Sequence, residues 1–346
     1  MKIFILLPLI FSTHQLFAQA TKSNFSSIDK RAKPIQANPV GPLSKKLTSP
    51  YKTQLEKVRS IFRWITENIQ YDVEGYHNPK GVYSDLFRSA ISSVDSVRQA
   101  DYNNSIIQKV LTERKAVCEG YARLFKTLCD SANIPCVTIS GHVRWYTDPI
   151  GIITDRKHSW NAVFLNNKWQ LLDPTWASGK VDDKTKKFQK EYDDFYFLTD
   201  PIQFYNDHCP ADAKWALFAN PPSRQQFYKY PFFHPEFYKS RITSVKPTNG
   251  LIEVTANQKT IRLELESLVK QKELLVIEYP DQNDTINYAQ DDSLLIEELN
   301  KKYASQYEID GNKIYWDYEI KSIKTERLDI YFVDKLILTY SVRFRK

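Results

Sequence analysis

The stretch HSWNAVFLNNKWQLLDPTW, from His158 to Trp176, leaves the backbone few choices. Aromatic and β-branched residues flank Asn166-Asn167, and asparagine tolerates the left-handed conformation that a two-residue hairpin loop demands. With that loop, Leu165 pairs with Lys168, Trp160 lies opposite Asp173, and His158 lies opposite Thr175. His158 and Asp173 then become diagonal neighbours on one face, their backbones roughly 7–8 Å apart and within reach of an imidazole–carboxylate hydrogen bond. A register slip of one residue would put them on opposite faces, so the spacing is a real constraint.

Upstream, KAVCEGYARLF (115–125) sets Cys118 directly before an amphipathic helix that runs to about Asn133, where Ile134-Pro135 stops it. A cysteine in the first turn faces unpaired N–H groups and the positive end of the helix dipole, and Arg114 and Lys115 add positive charge. Such surroundings favour the thiolate, the form that acts as a nucleophile. A thiol of this kind needs an imidazole to exchange its proton and a third group to orient that imidazole. His158 and Asp173 supply both. Taken singly, each has a plainer reading: a small buried hydrophobe for Cys118, a satisfied strand histidine for His158, a turn starter for Asp173. Taken together, in this order, they read as a catalytic set.

Competing residues carry less. His142 in TISGHVRWY is the nearest alternative base, and Asn161 alternates away from His158 on the same strand. His208 sits beside Cys209 with no third ligand at metal spacing, so the sequence offers no zinc site. No Gly-rich phosphate loop and no GxSxG turn occur. Trp145, Trp160, Trp169 and Trp176 read as core and cleft wall. No cofactor is expected.

RKAVCEGYA (Arg114 to Ala122), HSWNAV (His158 to Val163) and KWQLLDPTW (Lys168 to Trp176), in this order, resemble the transglutaminase-like superfamily of papain-type cysteine enzymes. The lead-in IFRWITENIQYD is similar to that family's usual upstream helix, and the resemblance spans about residues 51 to 235. A chain continuing through HCPADAKWALFANPPSRQQF into a β domain looks most like exported bacterial members and the kyphoscoliosis peptidase group. By position, the resemblance implies Cys118 as nucleophile, His158 as general base and acid, and Asp173 as its orienting partner. It implies an α+β core of helices packed on an antiparallel sheet. The side chain that completes the oxyanion hole is not matched; the Cys118 N–H is one donor, and Tyr83 or Gln108 is a candidate for another.

The rest of the chain sets the context. MKIFILLPLIFSTHQLFAQA has Lys2, an apolar run from Ile3 to Phe11 and Ala18-Gln-Ala20, the pattern of a secretory leader cleaved after Ala20. The run is too short to span a bilayer, which takes about 20 apolar residues. Residues 21–50, with Pro34, Pro39, Pro42 and Pro50, read as an extended arm. Ser49-Pro50 is the expected start of a core helix striped by Leu55, Val58, Ile61, Phe62, Ile65 and Ile69, and a second helix is expected over 104–113. The catalytic domain is placed at 51–238, with its aromatic and proline-rich end from 196 laid over a surface. Beyond it, 239–346 alternates with period two, as in IRLELE and LDIYFVDKLILTYSVRF, and reads as a separate β-sandwich with a hairpin turn at Asp334-Lys335. The formal net charge of +7 is spread along the chain with no basic block, which argues against nucleic acid as partner. Four cysteines in an exported chain raise the question of disulfides. With Cys118 kept free, Cys129 with Cys136, or Cys136 with Cys209, are the alternatives.

These residues describe a secreted or periplasmic enzyme that attacks amides. Hydrolysis of a peptide or peptidoglycan-type bond is favoured over transamidation. The rival is a surface protein that binds peptide or glycan in the same cleft without turnover.

Overall fold

The structure is a computed structural model that describes residues 25–78, 96–182, 185–269, 274–279 and 306–345. The leader and Tyr83 lie outside the described residues. Among the described residues the chain forms two compact units, one of 25–142 and 157–219, the other of 143–156 and 220–345.

The first unit is a helical layer on an antiparallel sheet. Its helices are α1 (Ser26–Ala32), α2 (Val40–Thr48), α3 (Gln54–Asn68), α4 (Ser96–Glu113) and α5 (Cys118–Ser131). Short strands β1 (Gln70–Tyr71) and β2 (Lys115–Ala116) pair in parallel. The main sheet contains β3 (Cys136–Val143), β4 (Lys157–Leu165), β5 (Lys168–Leu172), β6 (Phe197–Thr199) and β7 (His208–Pro210), in the order β6-β5-β4-β3-β7. Helix α5 packs on β4, and its Tyr121, Leu124, Phe125 and Leu128 are all fully buried. Asn161 on β4 reinforces that contact by donating to the Ala122 carbonyl at 3.0 Å. The α+β architecture follows the sequence expectation.

Two expectations fail near the N-terminus, for one reason. Residues 26–32 and 40–48 are helical, not extended, and Ser49 caps the end of α2. Helix α3 starts instead at Thr53, whose hydroxyl accepts from Glu56 N–H at 3.2 Å while its own N–H donates to Glu56 Oε2 at 3.0 Å, a capping box. Helices this short are not stable alone; packing holds them. Ile28, Ala32, Leu43 and Leu47 are buried against the core, and Asp29 of α1 binds Arg59 of α3 with two bonds of 2.7 Å. Both arginines of α3, Arg59 and Arg63, are buried, and Asp29 serves both.

The second unit is a β-sandwich. One sheet joins β9 (Ile242–Lys246), β11 (Thr260–Ser267), β14 (Lys313–Glu319) and β13 (Glu308–Asp310), in that order. The other joins β8 (Phe232–Phe233), β16 (Lys335–Arg345), β15 (Arg327–Phe332) and β12 (Leu274–Tyr279), with β10 (Leu251–Thr255) pairing in parallel with β16. Leu263, Leu265, Ile314 and Trp316 from the first sheet share one core with Leu328, Ile330, Leu338 and Tyr340 from the second. The hairpin turn sits one residue earlier than expected, on Val333-Asp334, both with positive φ. This unit takes in more chain than 239–346, because Arg144 donates to the Tyr230 and Pro231 carbonyls at 2.8 and 2.9 Å and Ile150 N–H donates to Ser341 Oγ at 2.8 Å. Among the described residues, no helix is long and apolar enough to cross a membrane.

In the first unit, β7 is seated where β3 has a glycine. A Cβ at Gly141 would stand 2.3 Å from the Cys209 carbonyl oxygen and 2.5 Å from the Trp160 ring. Gly141→Ala is therefore expected to lower stability by about 1–3 kcal/mol, the usual cost of overpacking. A urea titration checks this, and an unchanged midpoint would show that β7 shifts freely.

Candidate active site

The hairpin forms in the expected register. Leu165 pairs with Lys168 and Asn161 with Leu172, while Asn166 and Asn167 take positive φ of 53° and 60°. This type I′ geometry matches the right-handed twist of the strands. Strand β5 ends at Leu172, and Asp173 follows as the first residue past the ladder. There the carboxylate turns back on its own chain: Oδ1 accepts from Thr175 N–H at 2.7 Å and from Trp176 N–H at 3.2 Å. Oδ2 faces His158 Nε2 at 2.6 Å. The side chains of His158 and Asp173 are 6% and 0% exposed, so their interaction is shielded from water.

Cys118 opens α5 after Val117, whose extended backbone (φ −83°, ψ 172°) makes it the N-cap residue. The thiol is half-buried and close enough to the His158 ring to act on its charge. Because Nε2 of that ring is engaged by Asp173, Nδ1 is the nitrogen left for Cys118. A second link runs beside the first. Ser159 Oγ donates to Glu119 Oε2 at 2.5 Å, and Arg123 Nε holds Glu119 Oε1 at 2.6 Å. The residues that follow Cys118 and His158 are thereby tied together.

Burial opposes charge on the His158 ring, but the Asp173 carboxylate, the charge of Cys118 and hydrogen bonds to both outweigh it and hold the ring at about 10. Burial likewise pushes Asp173 up, yet the His158 charge and hydrogen bond, followed by those of His208, hold it well below the ordinary carboxylate range. The resting pair is imidazolium and carboxylate.

The structure also brings in residues to which the sequence gives no role in the catalytic set. His208 on β7 is fully buried and points its Nε2 at the same Asp173 oxygen, at 3.1 Å. The sequence shows no third ligand at metal spacing beside His208 and Cys209; the fold instead brings His208 to Asp173 and His158. Ligand-type atoms of His158, Asp173 and His208 lie within 4.8 Å of one another. Both ring nitrogens nevertheless face a single carboxylate oxygen at hydrogen-bond distance, an arrangement that serves proton sharing. Tyr71, paired in register with Ala116 two residues ahead of Cys118, is the other addition. Its phenol is raised well above its ordinary value, by burial first and then by the charges of Cys118, Tyr76, Tyr121 and Asp173, so it stays an O–H donor. Of the oxyanion candidates, Gln108 is exposed on α4 and Tyr83 is outside the described residues. His142 lies half-buried on β3 opposite Lys157. All four cysteines are free thiols, with Cys129, Cys136 and Cys209 buried.

Residues 42–174 match the transglutaminase-like superfamily. Kyphoscoliosis peptidase of Mus musculus is 35% identical over 214 residues, 61% of this chain and 29% of that protein. Its Homo sapiens counterpart is 33% identical over the same shares. The chain therefore spans under a third of the length of these relatives. Among solved structures, one described as a TGase overlaps 53% of this chain and 42% of its own at 16% identity, with a TM-score of 0.26.

The paired charges give a pH expectation. His158 is raised above its unfolded value near ~6.5, so the stability it adds is complete below that pH and is lost as pH rises through about 10. Asp173 works in the opposite sense: its contribution is present above about pH 3.9 and is lost as pH falls through its depressed folded value. An NMR titration of the His158 ring should show imidazolium through neutral pH. Asp173→Asn should bring that titration back toward the ordinary histidine range. A ring already neutral at pH 8 in the wild type would contradict the ion pair.

Proposed function

We propose that this chain, which carries a transglutaminase-like domain, is a cysteine-dependent enzyme that cleaves amide bonds through a thioester, with hydrolysis of a peptide or peptidoglycan-type bond as its reaction. The observation that carries the reading is the 2.6 Å bond between His158 Nε2 and the buried Asp173 carboxylate, on a ring that also feels the charge of Cys118. The name of its peptidase relatives supports hydrolysis over transamidation.

The chemistry follows from the placement. Cys118 Sγ attacks the amide carbonyl carbon, forming a C–S bond and an oxyanion. The Cys118 N–H, in the first turn of α5, donates to that oxygen. Collapse breaks the C–N bond while the His158 Nδ1 proton passes to the departing nitrogen, leaving an amine and a thioester. Water then gives its proton to Nδ1 and attacks the thioester carbon, and the sulfur leaves as thiolate beside a restored imidazolium. Asp173 keeps the ring in one orientation throughout and compensates its charge. A primary amine in place of water would give transamidation.

Purified protein is assayed against peptides, peptidoglycan fragments, and a glutamine donor with a primary amine. Cys118→Ala and His158→Ala should each abolish turnover, and Asp173→Asn should lower kcat by roughly 10²–10⁴-fold, the range expected when a general acid–base loses its orientation. Product with amine incorporated and none hydrolysed would replace hydrolysis by transamidation. Tight binding of a substrate without turnover by the wild type, and unchanged in Cys118→Ala, would replace the enzyme reading by the binding-protein reading.

The setting we propose is outside the cytoplasm, on the strength of Lys2, the apolar run Ile3 to Phe11 and Ala18-Gln-Ala20. N-terminal sequencing of the protein expressed in a bacterial host should find Thr21 first. An intact Met1 in the extracytoplasmic fraction would rule out cleavage there.

A further inference from the structure

Asp173 is not the last member of the buried chain. His208 Nε2 lies 3.1 Å from Asp173 Oδ2, and the other nitrogen of the same ring, Nδ1, lies 2.5 Å from Asp207 Oδ1. Asp207 Oδ2 in turn accepts from the Tyr196 hydroxyl at 2.9 Å. The side chains of His208 and Asp207 are 0% and 4% exposed, so water cannot complete a missing bond.

Proton counting constrains this chain. A neutral imidazole has one N–H and one lone pair, whereas an ionised carboxylate only accepts. His208 faces carboxylate oxygens with both nitrogens, so the His208–Asp207 pair must hold one proton more than a neutral ring and a carboxylate would. That proton sits on Nδ1 or on Asp207. In either arrangement Nε2 carries a hydrogen, and it points at Asp173.

We propose that His208 is a positioning residue of the active site: held by Asp207 with its Nε2–H on Asp173, it fixes the carboxylate that orients His158. Asp173 then accepts four bonds, from Thr175, Trp176, His158 and His208, and neither oxygen is free to rotate away or to take a proton from the His158 ring. Packing alone does not account for the residue. The His208 ring lies in an aromatic box, with centroids 4.2 Å from Phe204, 4.5 Å from Trp176 and 5.0 Å from Trp160. An apolar side chain would fill such a box without burying Asp207, a carboxylate that is costly to desolvate.

The test uses full-length protein and two paired substitutions that leave no stranded charge. Asp207→Asn with His208→Phe fills the box and removes the donor to Asp173. Asp207→Asn with His208→Gln keeps an amide N–H that can reach Asp173. With His208→Phe, the His158 ring should titrate at lower pH, and kcat should fall about 10–100-fold, as for loss of an outer-shell orienting bond, with KM nearly constant. With His208→Gln, both should return most of the way to wild type. A folded His208→Phe pair with wild-type titration and kcat would overturn the proposal, as would equal impairment of the two pairs. Nitrogen-15 shifts of the wild-type ring give a check that needs no variant to fold: a bare lone pair on His208 Nε2 would also overturn it. Only the kinetic readout rests on the cysteine-enzyme reading. If no amide substrate turns over, that reading fails by itself, while the His158 titration still decides the role of His208.

Discussion

One carboxylate organises the active site. Asp173 has no solvent contact, and its two oxygens accept from two backbone N–H groups and two imidazole rings. An ionised carboxylate buried alone would cost several kcal/mol and would protonate instead. Four donors reverse the balance, because each hydrogen bond to the charged form favours that form. A carboxylate so held is a fixed negative point behind His158, and it explains why a buried imidazole, which burial alone would discharge, is held as imidazolium.

That arrangement depends on two backbone devices. The Asn166-Asn167 turn sets the register that delivers His158 and Asp173 to one side of the sheet, and the break after Leu172 frees the Asp173 side chain to bond its own following N–H groups. Helix α5 brings Cys118 to the same place, and Asn161, alternating away from His158, is spent on docking that helix: its amide donates to Ala122 on α5 and Val137 on β3 at 3.0 and 3.1 Å. Residues alternating to opposite faces of one strand thus divide the work. His158 carries charge, and Asn161 keeps the helix that bears Cys118 against the sheet.

What could be read from the sequence follows the range of the forces involved. The hairpin was legible because its information is local: period-two alternation and a turn whose residues accept positive φ. Helix α5 was legible because its stripe and the Ile134-Pro135 stop are local too. Helices α1 and α2 were not, since their stability comes from burying Ile28 and Leu43 and from Asp29 meeting Arg59, contacts that no sequence window contains. His208 escaped for the same reason. It lies 35 residues beyond Asp173 and arrives only because β7 crosses to the far edge of the sheet beside β3, where Gly141 leaves room for it. One signal was present in the sequence, the Asp207-His208 dipeptide ahead of Cys209, a paired acid and imidazole in the aromatic stretch FYNDHCP.

In the proposed chemistry, the balance between water and amine as acceptor turns on the same enclosure. His158 and Asp173 are closed off, while Cys118 is half-buried, so the side of the ring that faces sulfur is where solvent reaches the thioester. Once the first amine has left, the imidazole Nδ1 is unprotonated and its nearest unbound donor is whatever enters beside Cys118. Water at about 55 M outcompetes any amine that the surface does not gather, unless an acceptor subsite raises the local amine concentration to the effective molarities that binding can supply. The triad is neutral on this point, being equally able to take a proton from either acceptor. Transamidation therefore requires a further device beside Cys118, one that excludes water or binds amine, and hydrolysis requires none.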